Sequence, residues 1–434
     1  MIYYNLKDHQ EKIDFKNATI KGQGKEKGLF FPENIPQFNE EFIQNLPQCS
    51  NEEIAYQCMK DFVGDEIPSE ILKEIVAETV SFKIPLVKIN EQISVLELFH
   101  GPTLAFKDIG ARFMSRCLSY FLKDQQKKVT ILVATSGDTG GAVAHGFYKI
   151  PQINVVILYP KNRVSPVQEK QLTALGENIS AIEVNGSFDD CQNLVKQAFS
   201  DQEINSQLFL TSANSINIAR WLPQQIYYLI ALKQWIQQHK EHPVICVPSG
   251  NFGNICAGLL AHFRGMPADH FIAACNDNHV IPDYLKTQKF EPHQAVPTLS
   301  NAMDVGNPSN FVRVLELFGN QFDALKNTVS AYSVNDKETI NTITKVYQKY
   351  NYLLDPHTAV AFASLEKYLE ENPGKKGFIL GTAHPVKFPD AVEKAIHTSI
   401  QIPGSLNELM KKEKKTVEIN SDFEELKRFL LHKI

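Results

Sequence analysis

This chain of 434 residues lacks any sign of disulfide or metal architecture. Its seven cysteines (Cys49, Cys58, Cys117, Cys191, Cys246, Cys256 and Cys275) are odd in number, scattered and free of CxxC pairs. Buried thiols in a reducing compartment fit that pattern better than a disulfide framework. The thirteen histidines include no HExxH, and no His/Cys cluster has zinc spacing, so no metal is expected. His239 and His242 fall in a polar run and read as surface residues. Basic charge is not in excess either: the net charge of −5 offers no field to nucleic acid. The one dense basic run, Lys411–Lys415, is interrupted by Glu413 and reads as a solvated face. No stretch approaches the ~18 apolar residues of a membrane span, and the N-terminal dozen has no apolar signal core. A cytoplasmic chain without a membrane partner is expected. Internal repeats and low-complexity tracts are absent.

Regular α/β alternation is what the chain does have. Residues 1–90 are mixed, with polar turns around Lys21–Lys27 and helical patterns through Cys58–Phe62 and Ile71–Val80. They read as an N-terminal subdomain. Beyond them, continuous apolar runs at Val129–Val133, Val155–Tyr159, Val244–Val247, Phe271–Ala274 and Gly377–Leu380 predict buried strands. Helices are predicted between them, at Ala142–Lys149, Pro166–Leu175, through His262 and at Pro282–Lys286. Such alternation implies parallel sheets with ligands beyond the C-terminal strand ends. Two α/β domains are expected after the first block. Residues 91–235 would form one and residues 236–434 the other, with interleaving between them.

Polar turns follow three of the strands. Ser249-Gly250-Asn251-Phe252-Gly253-Asn254 joins a strand to a helix, where backbone N–H groups and the helix N-terminus suit a small phosphate. It is neither GxGxxG nor GxxxxGK[ST], and a tight turn needing glycine for its backbone angles is the plainer alternative. Ser136–Gly141 has the same topology and a similar anion-cradling logic, although Asp138 would oppose an anion unless it faces a donor. Thr382–Pro385 is the third. Asn214-Ser215-Ile216-Asn217-Ile218-Ala219-Arg220 groups hydroxyl, amide and guanidinium, suited to a carboxylate or phosphate. Its simpler reading is a helix cap at Asn214/Ser215 with a surface arginine. Lys161 and Arg163 also follow a strand end and read as a solvated loop.

Lys107 completes the set, in Leu98-Phe99-His100-Gly101-Pro102-Thr103-Leu104-Ala105-Phe106-Lys107-Asp108. Desolvation by apolar neighbours disfavours the ammonium form and prepares a lysine to hold an aldehyde as a Schiff base. Alone, Lys107 also fits a surface residue at a helix start. Two anion sites plus an activated lysine call for a phosphate-bearing aldehyde, and pyridoxal phosphate is the cofactor that uses them all.

The chain resembles the threonine synthase family, in its longer bacterial and fungal form, over nearly its whole length. The resemblance is carried by Tyr4–His9, Gly28–Pro32, Glu97–Asp108, Ala134–Ala144, Leu158–Lys170, Ser212–Ile218, Val247–Gly253, Leu299–Val305, Asp355–Ala361 and Leu380–Pro385. It implies the second fold type of pyridoxal-phosphate enzymes, similar to the tryptophan synthase β subunit. It further implies that Lys107 bears the cofactor and that Gly250, Asn251, Phe252, Gly253 and Asn254 hold its phosphate. Thr382 would meet the pyridine nitrogen, and Asp138 would lie near the phenolic oxygen. Thr139, Asn214, Ser215 and Arg220 match positions that grip the substrate phosphate in shorter relatives. The implied activity converts O-phospho-L-homoserine and water into L-threonine and phosphate, in a monomer. A phospho-amino-acid lyase or a serine/threonine dehydratase of the same fold is the alternative.

Overall fold

The computed structural model describes residues 1–123 and 128–434. Three sheets organise it. The N-terminal block forms a small antiparallel sheet in which Ile2–Asn5 lies between Asp8–Asp14 and Phe30–Pro32. It is followed by the amphipathic helices Asn51–Val63 and Ser69–Thr79, each burying one face.

A six-stranded sheet runs in the order Val329–Ser333, His270–Cys275, Val244–Pro248, Gly377–Gly381, Ile93–Glu97, Leu86–Lys88, with only the last strand antiparallel. The second sheet has five parallel strands: Val417–Asn420, Ile179–Asn185, Ile153–Pro160, Val129–Ala134 and Phe209–Thr211. The central strands Val244–Pro248 and Gly377–Gly381 are buried at every position, as expected of strands covered by helices on both faces. All seven cysteines are free and buried, and no helix among the described residues is long and apolar enough to cross a membrane.

Sheet membership does not follow the division at residue 235. Ile93–Glu97 pairs with Gly377–Gly381, and Val417–Asn420 pairs with Ile179–Asn185. Each sheet takes in a strand from the other stretch because parallel pairing needs a long crossover, which lets the chain leave one sheet and return. Two buried arginines tie the N-terminal block to the rest. Arg264 donates to the Cys58 carbonyl at 2.8 Å and pairs with Asp61 at 3.2 Å. Arg313 donates to the carbonyls of Phe30 and Ile216 at 2.9 and 2.7 Å and lies over the Trp221 ring.

One surface expectation needs correction, and the basic run gains a role beyond exposure. His239 is not a free surface residue: its ring stacks on Trp235 with centroids 4.0 Å apart, a contact made possible by the end of the helix Gln225–Trp235. The basic run 411–415 is exposed, but Lys414 bridges Glu169 and Glu183 at 2.7 and 2.8 Å and fastens the C-terminal strand to its sheet.

Candidate active site

Lys107 is the first residue of the helix Lys107–Leu122, and the loop before it is fastened on both sides. Asp108 reaches back to accept from Thr103 N at 2.9 Å and Thr103 Oγ1 at 2.5 Å. That closes a turn in which Leu104 has φ +56°. The other side is stitched to the Thr382 turn: Phe106 N donates to Thr382 O at 2.9 Å, and His384 N donates to Leu104 O at 3.0 Å. Thr382 and Lys107 are thereby brought to one place from opposite ends of the chain. Burial, supported by the charges of Lys387 and Arg220 and opposed by Asp138, pulls the Lys107 ammonium down to about 8. Its position at a helix N-terminus acts in the same direction.

The second turn leaves the buried strand Val244–Pro248 and enters the helix Gly253–Phe263. A Cβ on Gly250 would lie 2.6 Å from Met303 Cα, so only glycine lets the 300–303 turn close over it. Phe252 takes the left-handed conformation at φ +61° just before the helix starts. Asn254 sits in the first helical turn. Its Oδ1 accepts from the hydroxyls of Tyr227 and Tyr228 at 2.7 and 2.8 Å, which fixes the orientation of the amide. Its Nδ2 is buried and has no hydrogen-bond partner among the described residues. An orphaned donor at a helix N-terminus is completed by an oxyanion, so the cradle fits the phosphate of pyridoxal phosphate. Asn251 contributes differently. Its Nδ2 donates to Ser215 Oγ at 2.8 Å, and its Oδ1 accepts from Ser309 N and Oγ at 2.7 and 2.8 Å, leaving only its backbone for a ligand.

The third turn, Ser136–Gly141, carries its own anion and is not an empty cradle. Thr135 Oγ1 accepts from Gly137 N and Gly140 N, both at 2.9 Å, so the helix begins at Asp138, earlier than the apolar pattern predicts. Asp138 Oδ1 pairs with Lys387 Nζ at 2.7 Å and accepts from Gln168 Nε2 at 3.0 Å. Burial alone would raise this carboxyl. The positive charges of Lys387 and Lys107 outweigh that and hold it well below the usual carboxylate range. Thr139, next to it, is half-buried.

The constellation Asn214–Arg220 is not capped where the sequence suggested. Asn217, not Asn214 or Ser215, caps the helix Ile218–Trp221 by accepting from Ala219 N at 3.0 Å. Arg220 is 4% exposed, so it is no surface side chain. Its Nη1 donates to Ala213 O, its Nε is buried without a partner, and no carboxylate among the described residues pairs with it. Burial draws its guanidinium down to about 10. Ser215 Oγ already accepts from Asn251 and Asn310 at 2.8 and 3.3 Å, which leaves its hydroxyl proton to donate elsewhere. Asn214 is half-buried with no side-chain hydrogen bond among the described residues. Lys161 is drawn off to Glu418 at 2.5 Å, and Arg163 is exposed.

Lys387 is the residue that the sequence reading missed. It is fully buried, and its Nζ also donates to Thr103 O at 2.8 Å. Its signal was the one that singled out Lys107, a lysine among apolar neighbours: Pro385-Val386-Lys387-Phe388-Pro389. Gln168 and the two tyrosines carry no comparable signal, because each works through a partner distant in sequence.

The structure thus holds a buried lysine whose ammonium is disfavoured, a strand–helix turn with an unpaired donor and a buried guanidinium that no carboxylate contacts among the described residues. Known proteins resemble this chain over its whole length. A family model for pyridoxal-phosphate dependent enzymes matches residues 82–380. Models of the threonine synthase N terminus and C-terminal region match residues 2–80 and 358–430. Threonine synthase from Escherichia coli is 44% identical over all of both chains, and its crystal structure superposes with a TM-score of 0.93. A crystal structure of threonine synthase from Brucella melitensis with pyridoxal phosphate bound is 35% identical, with a TM-score of 0.92 over 100% of this chain and 99% of that one. The chain belongs to the threonine synthase family, lyases that work with pyridoxal phosphate.

Proposed function

We propose that this threonine synthase takes O-phospho-L-homoserine and water to L-threonine and inorganic phosphate, as a cytoplasmic monomer. Free, buried cysteines support the reducing compartment. The observation that carries the substrate class is Arg220: a buried guanidinium with an unpaired Nε and no carboxylate in contact among the described residues, Asp108 acting on it only from further off, calls for an anionic partner. With Ser215 donating its hydroxyl, Asn214 beside it in the chain and Thr139 brought in next to Asp138, it grips the substrate phosphate.

Bound pyridoxal phosphate supplies the electron sink for carbanions at the substrate's α- and β-carbons. The protein's part is to bind it and to move protons. Lys107 links to the cofactor aldehyde, the Gly250–Asn254 turn holds its phosphate through Asn254 Nδ2 and backbone N–H groups, and Asp138 takes the phenolic oxygen. Thr382 offers its hydroxyl to the pyridine nitrogen. A hydroxyl does not stabilise a protonated ring as a carboxylate would, and so it restrains the sink. Freed by the substrate amine, Lys107 removes the α-proton and then a β-proton as phosphate leaves Cγ. One proton returns to Cγ, water adds its hydroxyl at Cβ while its other proton goes to the departing phosphate, and Lys107 returns the second proton to Cα.

The test follows free phosphate and threonine together, with purified protein, pyridoxal phosphate and O-phospho-L-homoserine. Equal yields support the reading. Phosphate with a keto acid and no threonine would make the enzyme a phospholyase instead, and no turnover would overturn the substrate assignment.

A further inference from the structure

Three segments meet at the Lys387 ammonium. Its own turn follows the strand Gly377–Gly381, Thr103 O belongs to the loop before Lys107, and Asp138 opens the helix Asp138–Phe147. The charged and titratable groups around Lys387 are Asp138 and His145 on that helix, Lys107 and Asp108 on the next, and His384 on its own turn. Those around Lys107 are Asp138, Lys387 and Arg220. Asp138 is therefore the carboxylate shared between two lysines, and Lys387 is the one in direct contact with it, at 2.7 Å.

We propose that Lys387 is a positioning residue for Lys107: by occupying the Asp138 carboxylate, it keeps that anion from drawing a proton onto the Lys107 amine, which stays free to capture the cofactor aldehyde. The proposal rests on the reading of Lys107 as the cofactor-bearing lysine. Burial sets the cost of any charge on Lys107, and the Asp138–Lys387 pair sets which way the local field tips. With Lys387 present, the nearby carboxylate is balanced. Without it, Lys107 is the nearest remaining cation to a buried anion and takes up a proton to match it.

The pH dependence of cofactor capture tests this. Full-length chain freed of cofactor is mixed with pyridoxal phosphate across a pH series. The amine–aldehyde condensation expels water, borohydride then adds hydride to the new C=N bond, and peptide mass identifies the lysine. In K387M the midpoint of capture at Lys107 moves up by about one pH unit or more. In D138N it moves down, because Lys387 is then unopposed, and in D138N/K387M it returns towards the unmodified protein. The opposite signs keep the test decisive even if K387M does not fold. An unmoved midpoint in K387M or D138N, or equal shifts in K387M and the double variant, would overturn the role of Lys387. Undiminished capture in K107A would instead overturn the assignment of Lys107 on which the proposal rests.

Discussion

The turns Ser249–Asn254 and Ser136–Gly141 share one design and end with opposite electrostatics. Each leaves a buried parallel strand, uses glycine to bend, and opens a helix beyond the C-terminal edge of a sheet. In the first, the residue in the opening helical turn is Asn254, whose amide is fixed by two tyrosine hydroxyls, with its Nδ2 buried and unpaired among the described residues. In the second it is Asp138, an internal anion already matched by Lys387 and Gln168. One helix N-terminus presents an unpaired donor and the other holds a carboxylate with its own cation. A glycine-rich strand–helix turn is therefore a geometry, and one side chain decides whether it is a receptor.

Lys107 stands between the two turns, and its removal is the largest expected effect. Lys107→Ala lowers kcat on the order of 10⁴-fold, the full weight of a proton-moving group, with no loss of thermal stability, because the buried ammonium it removes is unfavourable near neutral pH. Steady-state kinetics beside a melting curve read both quantities. The reciprocal swaps come next. Asp138→Asn makes the second turn neutral like the first and leaves Lys387 buried without its anion, at a cost of about 3–5 kcal/mol by urea unfolding. A loss below ~1 kcal/mol would mean that the pair is far better solvated than its burial implies. Asn254→Asp makes the first turn resemble the second. The tyrosines still have an acceptor, but the cofactor phosphate meets a like charge, and its affinity falls by about 3 kcal/mol, or roughly 100-fold, in a fluorescence titration. Unchanged affinity would move the phosphate away from that turn.

Arg220→Ala removes the charge assigned to the substrate and not to the cofactor. kcat/KM falls by about 2–3 kcal/mol while cofactor affinity holds. Equal loss of both would give Arg220 a structural role. The smallest effect is on stability against pH. Folding lowers the Lys107 pKa from 10.5 to about 8, so between those values the unfolded chain binds the extra proton. The contribution of Lys107 to stability is thus unfavourable below about pH 8 and is relieved as pH rises towards 10.5. In cofactor-free protein, replacing Lys107 with Met flattens that rise.

Much of this was legible in the residues themselves. Apolar runs such as Val244–Val247 placed the strands to within a residue or two, because a strand buried on both faces has no polar position to hide. Glycine spacing marked the turns, and an apolar setting marked Lys107. Arg220 was harder, since a guanidinium four residues from a loop reads equally well as surface. Its burial comes from Gly110, which packs against the Arg220 backbone and Nε from more than a hundred residues away. The short strand Val417–Asn420 left no apolar run, because only Ile419 is buried there.

By itself, the sequence determined the α/β class, the strand–turn–helix geometry of the polar turns and the apolar setting of Lys107. These depend on neighbours close in the chain: apolar continuity, glycine torsions and local desolvation. Only the tertiary structure decided which turn is an open receptor and which is already neutralised. That outcome rests on Tyr227 and Tyr228 against Asn254 and on Lys387 against Asp138, partners 26 to 27 residues apart in the first case and some 250 in the second. Electrostatic pairing follows distance in space, and no local pattern in the chain records it.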